Sequence, residues 1–156
     1  MFNVVLFMPD IPNNTGTIGR LCVNTNSTLH LIKPLGFDID EKAVKRAGLD
    51  YWKLVDLKVW DNMEHFFEHN PVNNRFFFAT TKTDKPYFNA DFKKGDYLCF
   101  GSETKGIPED ILNQYKENNI TIPMGKNGRS LNLAISTGIV LYKAIEQNFI
   151  DFQELM

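Results

Sequence analysis

Short apolar runs alternate along the chain with segments in which apolar side chains recur at helical spacing. The apolar runs predict six strands. They cover Asn3–Met8, Thr28–Ile32, Val55–Trp60, Arg75–Thr80, Tyr97–Phe100 and Asn119–Ile122. Helical spacing is clearest in the last segment, at Leu131, Ala134, Ile135, Gly138, Leu141, Tyr142 and Ile145. Strands that alternate with helices predict an α/β fold, a mostly parallel sheet with helices on both faces.

Residues that can begin or cap a helix stand before the predicted helices. They are Asn14 or Thr15 after a loop over Pro9–Thr15, Asp40 for a helix over Glu41–Ala47, Asp61 for one through Glu68, Pro108, and Ser130 or Asn132 for the last helix. At the start of the helix that carries Arg20, free backbone N–H groups could also help to bind an anion.

Length and apolar content favour one domain over residues 1–156, since 43% of the residues are apolar and 13 are phenylalanine. No stretch approaches the ~20 apolar residues of a membrane span, so no membrane partner is expected. Met1–Leu6 has no basic segment before its apolar run and is interpreted as a first strand. Cys22 and Cys99 lie far apart in apolar surroundings, which is typical of reduced, buried thiols in a cytoplasmic protein.

The net charge of −2 disfavours a broadly basic nucleic-acid binder. Any RNA contact must therefore come from a local patch, or from two subunits that combine their patches. Two groups of cations are candidates, Lys42, Lys45 and Arg46 in one, and Lys105, Lys126 and Arg129 in the other. For the first group we favour the interpretation of a solvated helix face.

Several familiar catalytic patterns are missing or weak. Neither G-x-G-x-x-G after a strand nor G-x-x-x-x-G-K-[ST] occurs, which disfavours a dinucleotide-binding dehydrogenase or a P-loop enzyme. His65–His69 matches H-x-x-E-H, the pattern of inverted zinc peptidases, with Glu68 as the base. The predicted helix ends almost at His69 and a third ligand is not evident, so we interpret this match as chance and expect no metal.

Glycine and polar residues follow two predicted strands in the last third of the chain. One segment is Phe100–Pro108, and the other runs from Gly125 to Asn132 after Ile122-Pro123-Met124. In an open α/β sheet, ligands bind at the carboxyl ends of the strands. A third segment, Pro12-Asn13-Asn14-Thr15-Gly16, leads into a helix that carries Arg20, which can reach an anion.

Together these segments resemble the three motifs of SPOUT RNA 2′-O-methyltransferases. The resemblance rests on Pro12–Gly16 with Arg20, on Phe100–Pro108, and on Ile122-Pro123-Met124 with Arg129-Ser130-Leu131-Asn132-Leu133. Pro34-Leu35-Gly36-Phe37 and Arg46-Ala47-Gly48-Leu49-Asp50-Tyr51 are similar to the small, single-domain branch that methylates the wobble nucleotide of tRNA-Leu isoacceptors. The likeness follows nearly the whole chain in order.

The resemblance implies a SPOUT-type domain with a C-terminal trefoil knot over approximately residues 75–147. It also implies S-adenosylmethionine as the cofactor, tRNA as the partner and a homodimer as the working form. The family's cofactor pocket maps onto three loops of this chain. Its expected contacts are Ala79, Gly101, Ile122, Met124, Ser130 and Leu131.

The resemblance further implies catalytic roles for Arg20, Glu103 and Asn132. Because a guanidinium is a poor base, we expect Arg20 to anchor a phosphate and to stabilise the developing alkoxide. Glu103 would either order the pocket loops or accept a proton. The expected RNA contacts are Asn14, Arg20, Lys105, Arg129 and Tyr142.

Two positions depart from the pattern of this branch. Ser102 stands where proline is usual, which predicts a less rigid loop, and Lys105 stands where arginine is usual and lacks its bidentate fork. Two alternatives to methylation of the tRNA wobble nucleotide remain: a catalytically silent RNA-binding or assembly factor of the same fold, and a 2′-O-methyltransferase that acts on a different RNA.

Overall fold

The computed structural model describes residues 1–40 and 42–156. Its strands are β1 Asn3–Phe7, β2 Thr28–Ile32, β3 Asp56–Trp60, β4 Phe76–Ala79, β5 Tyr97–Phe100 and β6 Asn119–Ile120. Its helices are α1 Pro12–Asn24, α2 Lys42–Gly48, α3 Met63–His69, α4 Glu109–Gln114, α5 Leu133–Gln147 and α6 Phe149–Gln153. Short 3-10 helices occupy Leu49–Leu54, Tyr87–Asn89 and Lys116–Asn118.

The six strands form one parallel sheet in the order β3-β2-β1-β5-β4-β6. The predicted α/β class and parallel sheet are therefore confirmed. From β1 the chain moves outward through β2 and β3, and the later strands lie on the other side of β1. All carboxyl ends meet at one edge, so the loops after β1, β4, β5 and β6 converge there.

Alternate residues of the central strands pack into two cores, one on each face of the sheet. Leu6 of β1 packs with Ile18 of α1 and Leu141 of α5 on the first face. Phe7 packs with Phe66 of α3 and Ile111 of α4 on the second. These two cores fix α1 and α5 on one side of the carboxyl edge and α4 on the other.

The cysteine prediction is confirmed, since Cys22 and Cys99 are free and buried. Cys22 belongs to the first core and Cys99 to the second, so the sheet separates them. Burial raises the pKa of both thiols, which keeps them protonated and unreactive.

Several predicted element boundaries are confirmed. β2 and β5 have the predicted bounds, Pro108 stands directly before α4, and Asn132 caps α5 by accepting bonds from the backbone N–H groups of Ala134 and Ile135. The strand predicted over Asn119–Ile122 is shorter, because pairing with β4 ends at Ile120. Glu41, in the helix predicted over Glu41–Ala47, lies outside the described residues.

Two predicted helix caps are wrong. α1 begins at Pro12 with Ile11 as its N-cap, so Asn14 and Thr15 lie buried inside the helix. Proline is well suited to the first helical position, where it sacrifices no backbone bond. α3 is capped by Asn62 rather than Asp61, because the Asn62 side chain accepts the His65 N–H at 2.7 Å.

His30 in β2 is buried on the sheet's second face, where it is held between two side chains. The Trp60 indole N–H donates to His30 Nδ1 at 3.0 Å, and His30 Nε2 lies 2.9 Å from Asn3 Oδ1. The indole can only donate, so Nδ1 carries no proton and the ring is neutral. Burial and the neighbouring Lys58, opposed by Asp56, lower the pKa of His30 to about 4.

We expect the free energy of unfolding to fall as the pH is lowered from about 6.5 to about 4. The unfolded chain takes up the His30 proton near its ordinary pKa, whereas the folded chain resists it, so protons favour unfolding in this window. The difference corresponds to about 3 kcal/mol. Urea unfolding against pH measures it, and His30→Gln should flatten this part of the profile. An unchanged profile in that variant would contradict the assignment.

No helix within the described ranges 1–40 and 42–156 has the length and apolar character needed to span a membrane.

Candidate functional site

A cavity of about 550 Å³ opens at the carboxyl edge of the sheet. It lies among the loops that follow β4, β5 and β6, and its other walls come from the start of α1 and the start of α5. The predicted cofactor contacts all line it, namely Ala79, Gly101, Ile122, Met124, Ser130 and Leu131. Of the other predicted site residues, Asn14, Glu103, Lys105, Arg129 and Asn132 also line it.

Several lining residues were not among the predicted site residues, including Ile11, Lys82, Thr121 and Ser136. Lys82 forms an ion pair with Glu109 at the start of α4. Thr121 directly follows β6, but the predicted strand extended through Ile122, so the sequence pattern did not indicate that Thr121 lies in a loop. Ile11 is the N-cap residue in the loop before α1, and Ser136 belongs to α5; neither residue type indicates a ligand at its position.

The loop after β5 makes a tight turn at the mouth of the cavity. A Cβ atom on Gly101 would lie 2.0 Å from the carbonyl carbon of Gly106 and 2.1 Å from the nitrogen of Ile107. Gly106 itself has φ +69°, which favours glycine. The Ser102 hydroxyl accepts the Lys105 N–H at 3.0 Å, a bond that proline could not supply. Serine in place of the usual proline therefore adds a hydrogen bond to a loop that was expected to be less rigid.

The Glu103 carboxylate binds the loop that precedes α1. Its two oxygens accept bonds from the backbone N–H groups of Asp10 at 2.9 Å and Ile11 at 2.8 Å, and from Asn14 Nδ2 at 3.2 Å. Thr104 adds a bond from its hydroxyl to the Asp10 carboxylate at 2.7 Å. Three donors converge on Glu103, so the geometry favours the loop-ordering role over that of a proton acceptor.

Asn14 continues this network towards α5. Its Oδ1 accepts a bond from Asn132 Nδ2 at 3.1 Å, while Asn132 Oδ1 caps the helix. Asn14 therefore donates to Glu103 and accepts from Asn132, and both ends of its amide are engaged. The three segments that were recognised in the sequence are joined by hydrogen bonds through Glu103, Asn14 and Asn132.

We expect Glu103→Gln to lower the free energy of unfolding by about 2 kcal/mol, because hydrogen bonds to a charged acceptor are strong and the new amide N–H₂ faces donors. Urea unfolding measures the loss, and Glu68→Gln on the exposed face of α3 is the matched control. A variant with unchanged stability but no activity would instead make Glu103 a proton acceptor.

Arg20 and Tyr142 are not among the residues that line the cavity. Arg20 lies exposed on α1 with its guanidinium 5.7 Å from the centre of the Tyr51 ring. Tyr142 lies on α5 with 47% of its surface exposed. Within one chain, the structure thus gathers the predicted cofactor contacts around the cavity but leaves these two predicted RNA contacts outside it.

The H-x-x-E-H segment shows ordinary helix contacts. His65 Nδ1 accepts the Asp61 N–H at 3.2 Å, and His69 Nδ1 lies 3.1 Å from the carbonyl oxygen of His65. Within the residues that the structure describes, no three histidine, cysteine or acidic side chains are grouped so as to hold a metal ion.

Comparison with known proteins identifies close relatives. A tRNA (cytidine(34)-2′-O)-methyltransferase of Methylovorus glucosotrophus is 44% identical over 149 residues, which cover 95% of this chain and 96% of that protein. The protein of the same name from Aeromonas hydrophila is 44% identical over 148 residues, with 94% of each chain covered.

Solved structures have the same fold. One, described as "Structural insights into the 2-OH methylation of C/U34 on tRNA", has a TM-score of 0.91 and 40% identity, and the match covers 96% of this chain and 97% of that one. An AdoMet-bound rRNA methyltransferase of Sinorhizobium meliloti has a TM-score of 0.83 and 25% identity, with 93% of this chain and 56% of that chain covered.

The sequence model of the SpoU rRNA Methylase family matches residues 1–142. This match and the close relatives confirm the resemblance that was inferred from the three segments. The chain belongs to the SpoU rRNA methylase family.

Proposed function

We propose that this protein transfers a methyl group from S-adenosylmethionine to the ribose 2′-OH of the wobble nucleotide, cytidine or uridine 34, of tRNA. The observation that carries the proposal is the cavity at the carboxyl edge, which is lined by all six expected cofactor contacts. The chain is also 44% identical to a tRNA (cytidine(34)-2′-O)-methyltransferase. Leucine tRNA isoacceptors are the proposed substrates.

The cavity is suited to S-adenosylmethionine. Its volume of about 550 Å³ falls in the usual range for small-molecule sites, about 300–1,000 Å³. Ile122, Met124 and Leu131 offer apolar walls for a nucleobase and a thioether. The absence of a side chain at Gly101 lets the backbone of Gly106 and Ile107 pack against it, which closes the turn that forms another wall. The bound cofactor would supply an activated methyl carbon, so the protein's task is to hold and orient the reactants.

Arg20 would act on the RNA rather than on the cofactor. Its planar guanidinium can hold a phosphate and can stabilise negative charge as the 2′-oxygen loses its proton. Glu103 and Asn132 would hold the cavity walls in place through their hydrogen bonds with Asn14. Lys105 and Arg129 at the cavity rim would attract the RNA backbone.

A homodimer would bring the missing groups to the cavity. Arg20 does not line the cavity of its own chain, whereas α5 next to that cavity exposes Ile135 by 57% and Tyr142 by 47%. An exposed apolar face beside an incomplete site favours a second copy of the chain as its cover. Arg20 and Tyr142 of that copy would then complete the site. Sedimentation equilibrium tests the dimer.

We also propose that residues 1–156 form one methyltransferase domain with a trefoil knot over approximately residues 75–147. β6 pairs with the outer side of β4, but the following α5 packs against α1 and beside β5. The segment between them must therefore cross back over the ends of β4 and β5. A crystal structure would establish whether α5 passes through the preceding loop, a rare arrangement.

Methyl transfer to total tRNA tests the function. Purified protein, labelled S-adenosylmethionine and tRNA should give label in 2′-O-methylcytidine or 2′-O-methyluridine at the wobble position, identified by mass spectrometry. Label in another RNA would identify that RNA as the substrate instead of tRNA. Cofactor binding without any transfer would favour the silent RNA-binding alternative. A tRNA substrate implies a cytoplasmic location.

A further inference from the structure

We infer that Tyr51 is a positioning residue for Arg20, holding the guanidinium by a cation–π contact so that its N–H groups stay free for RNA. The inference rests on the proposed function, because it assigns a purpose to the orientation of Arg20. It concerns a side chain that lies outside the cavity and that makes no direct contact with the expected cofactor site.

The contact joins two different elements. Arg20 belongs to α1, and Tyr51 belongs to the 3-10 helix Leu49–Leu54. The Arg20 Cζ atom lies 5.7 Å from the centre of the Tyr51 ring, within the ~6 Å reach of a cation–π interaction. Tyr51 is half-buried, whereas Arg20 is exposed, so the ring is the more fixed partner.

A glycine next to Arg20 allows the two elements to approach. A Cβ atom on Gly19 would lie 2.8 Å from Trp52 Cζ3 and 2.9 Å from Trp52 Cε3. Trp52 in turn packs against the first core. The adjacent pair Gly19 and Arg20 therefore meets the adjacent pair Trp52 and Tyr51, and Trp52 anchors the ring that faces the guanidinium.

The type of contact matters for the chemistry. An arginine held by a carboxylate would lose donors and charge to that partner, whereas a stacked arginine keeps its five N–H donors and its charge. Among the side chains of residues 1–40, 42–47 and 51–156, the structure shows no ion pair for Arg20. A long exposed side chain loses much rotamer freedom when it is fixed in place. Tyr51 would restrict it before RNA arrives.

Steady-state methylation of tRNA by Tyr51→Ala, Tyr51→Phe and Leu54→Ala tests the inference. We expect Tyr51→Ala to lower kcat about fivefold, which corresponds to about 1 kcal/mol, with unchanged cofactor Kd and unchanged KM for tRNA. Tyr51→Phe keeps the ring and should restore kcat. Leu54→Ala removes a side chain from the same 3-10 helix that is 65% exposed, and should match the wild type.

Three results would overturn the inference. Wild-type kcat in Tyr51→Ala would show that the contact has no effect. A raised KM with unchanged kcat would show that the ring binds RNA instead. Equal loss in Tyr51→Phe and Tyr51→Ala would assign the effect to the hydroxyl.

A measurement that does not depend on enzymatic activity separates this inference from the proposed function. The chain has four arginines, so the Nε–Hε signal of Arg20 can be assigned by NMR with Arg20→Ala. We expect the heteronuclear NOE of that signal to fall in Tyr51→Ala and to be retained in Tyr51→Phe. Equal mobility in all three proteins would refute the positioning role. An ordered Arg20 in a wild-type protein that methylates no tRNA would refute the function alone.

Discussion

Arg20→Ala is expected to lower the rate of tRNA methylation by about 10³-fold while the affinity for S-adenosylmethionine stays within twofold of the wild type. The rate falls because a donor aimed at developing negative charge is lost, an effect of about 10²–10³ for a single group, and a phosphate anchor is lost with it. The affinity for S-adenosylmethionine is retained because Arg20 does not line the cavity. Single-turnover methylation at saturating tRNA and isothermal titration with the cofactor measure the two quantities.

Two further variants make the result specific to Arg20. Arg20→Lys keeps the charge but loses the bidentate fork, so an intermediate rate is expected. Arg46→Ala removes an exposed arginine from the neighbouring α2 and should leave the saturated rate unchanged. Loss of cofactor binding in Arg20→Ala would remove Arg20 from the proposed role and place it among the residues that shape the cavity.

Gly101→Ala is expected to abolish cofactor binding and to lower the free energy of unfolding by about 3 kcal/mol, the upper part of the range for inserting a methyl group into a packed site. The new Cβ would meet backbone atoms of Gly106 and Ile107 at 2.0–2.1 Å, so the turn itself must open. The turn forms one wall of the cavity. Titration with S-adenosylmethionine and urea unfolding measure the two effects.

A glycine that does not line the cavity provides the control. A Cβ on Gly125, in the loop after β6, would meet no atom within 4 Å. Gly125→Ala should therefore retain both stability and cofactor binding. If Gly101→Ala binds the cofactor with unchanged affinity, the wall formed by residues 101–107 cannot be part of the cofactor site.

The sheet could be predicted from the sequence because each strand carries its own apolar run. The apolar runs of β2 and β5, five and four residues long, were sufficient to predict the bounds of both strands without knowledge of their neighbours in the sheet. The start of α1 could not be predicted in this way. Asn14 and Thr15 are good capping residues, but Pro12 begins the helix, and the carboxylate that binds the preceding N–H groups belongs to Glu103, 93 residues further on from Asp10.

The candidate site was predictable in its residue types but not in its connections. Glycine and polar residues after strands indicated the correct edge, and family resemblance supplied the cofactor contacts. The bonds from Asn14 to Glu103 and Asn132 depend on how α1 and α5 pack, which no local pattern records. Lys82 and Ser136 were missed because a lysine in a loop and a serine in a helix are common in positions without a ligand.

The hydrogen bond between Asn14 and Asn132 spans 118 residues of the chain. It therefore forms late, because both the first helix and the start of α5 must have been synthesised and folded before the two amides can meet. A nascent chain that has not reached α5 lacks both this bond and one wall of the cavity. We therefore expect a nascent chain to bind S-adenosylmethionine only after synthesis has passed the start of α5.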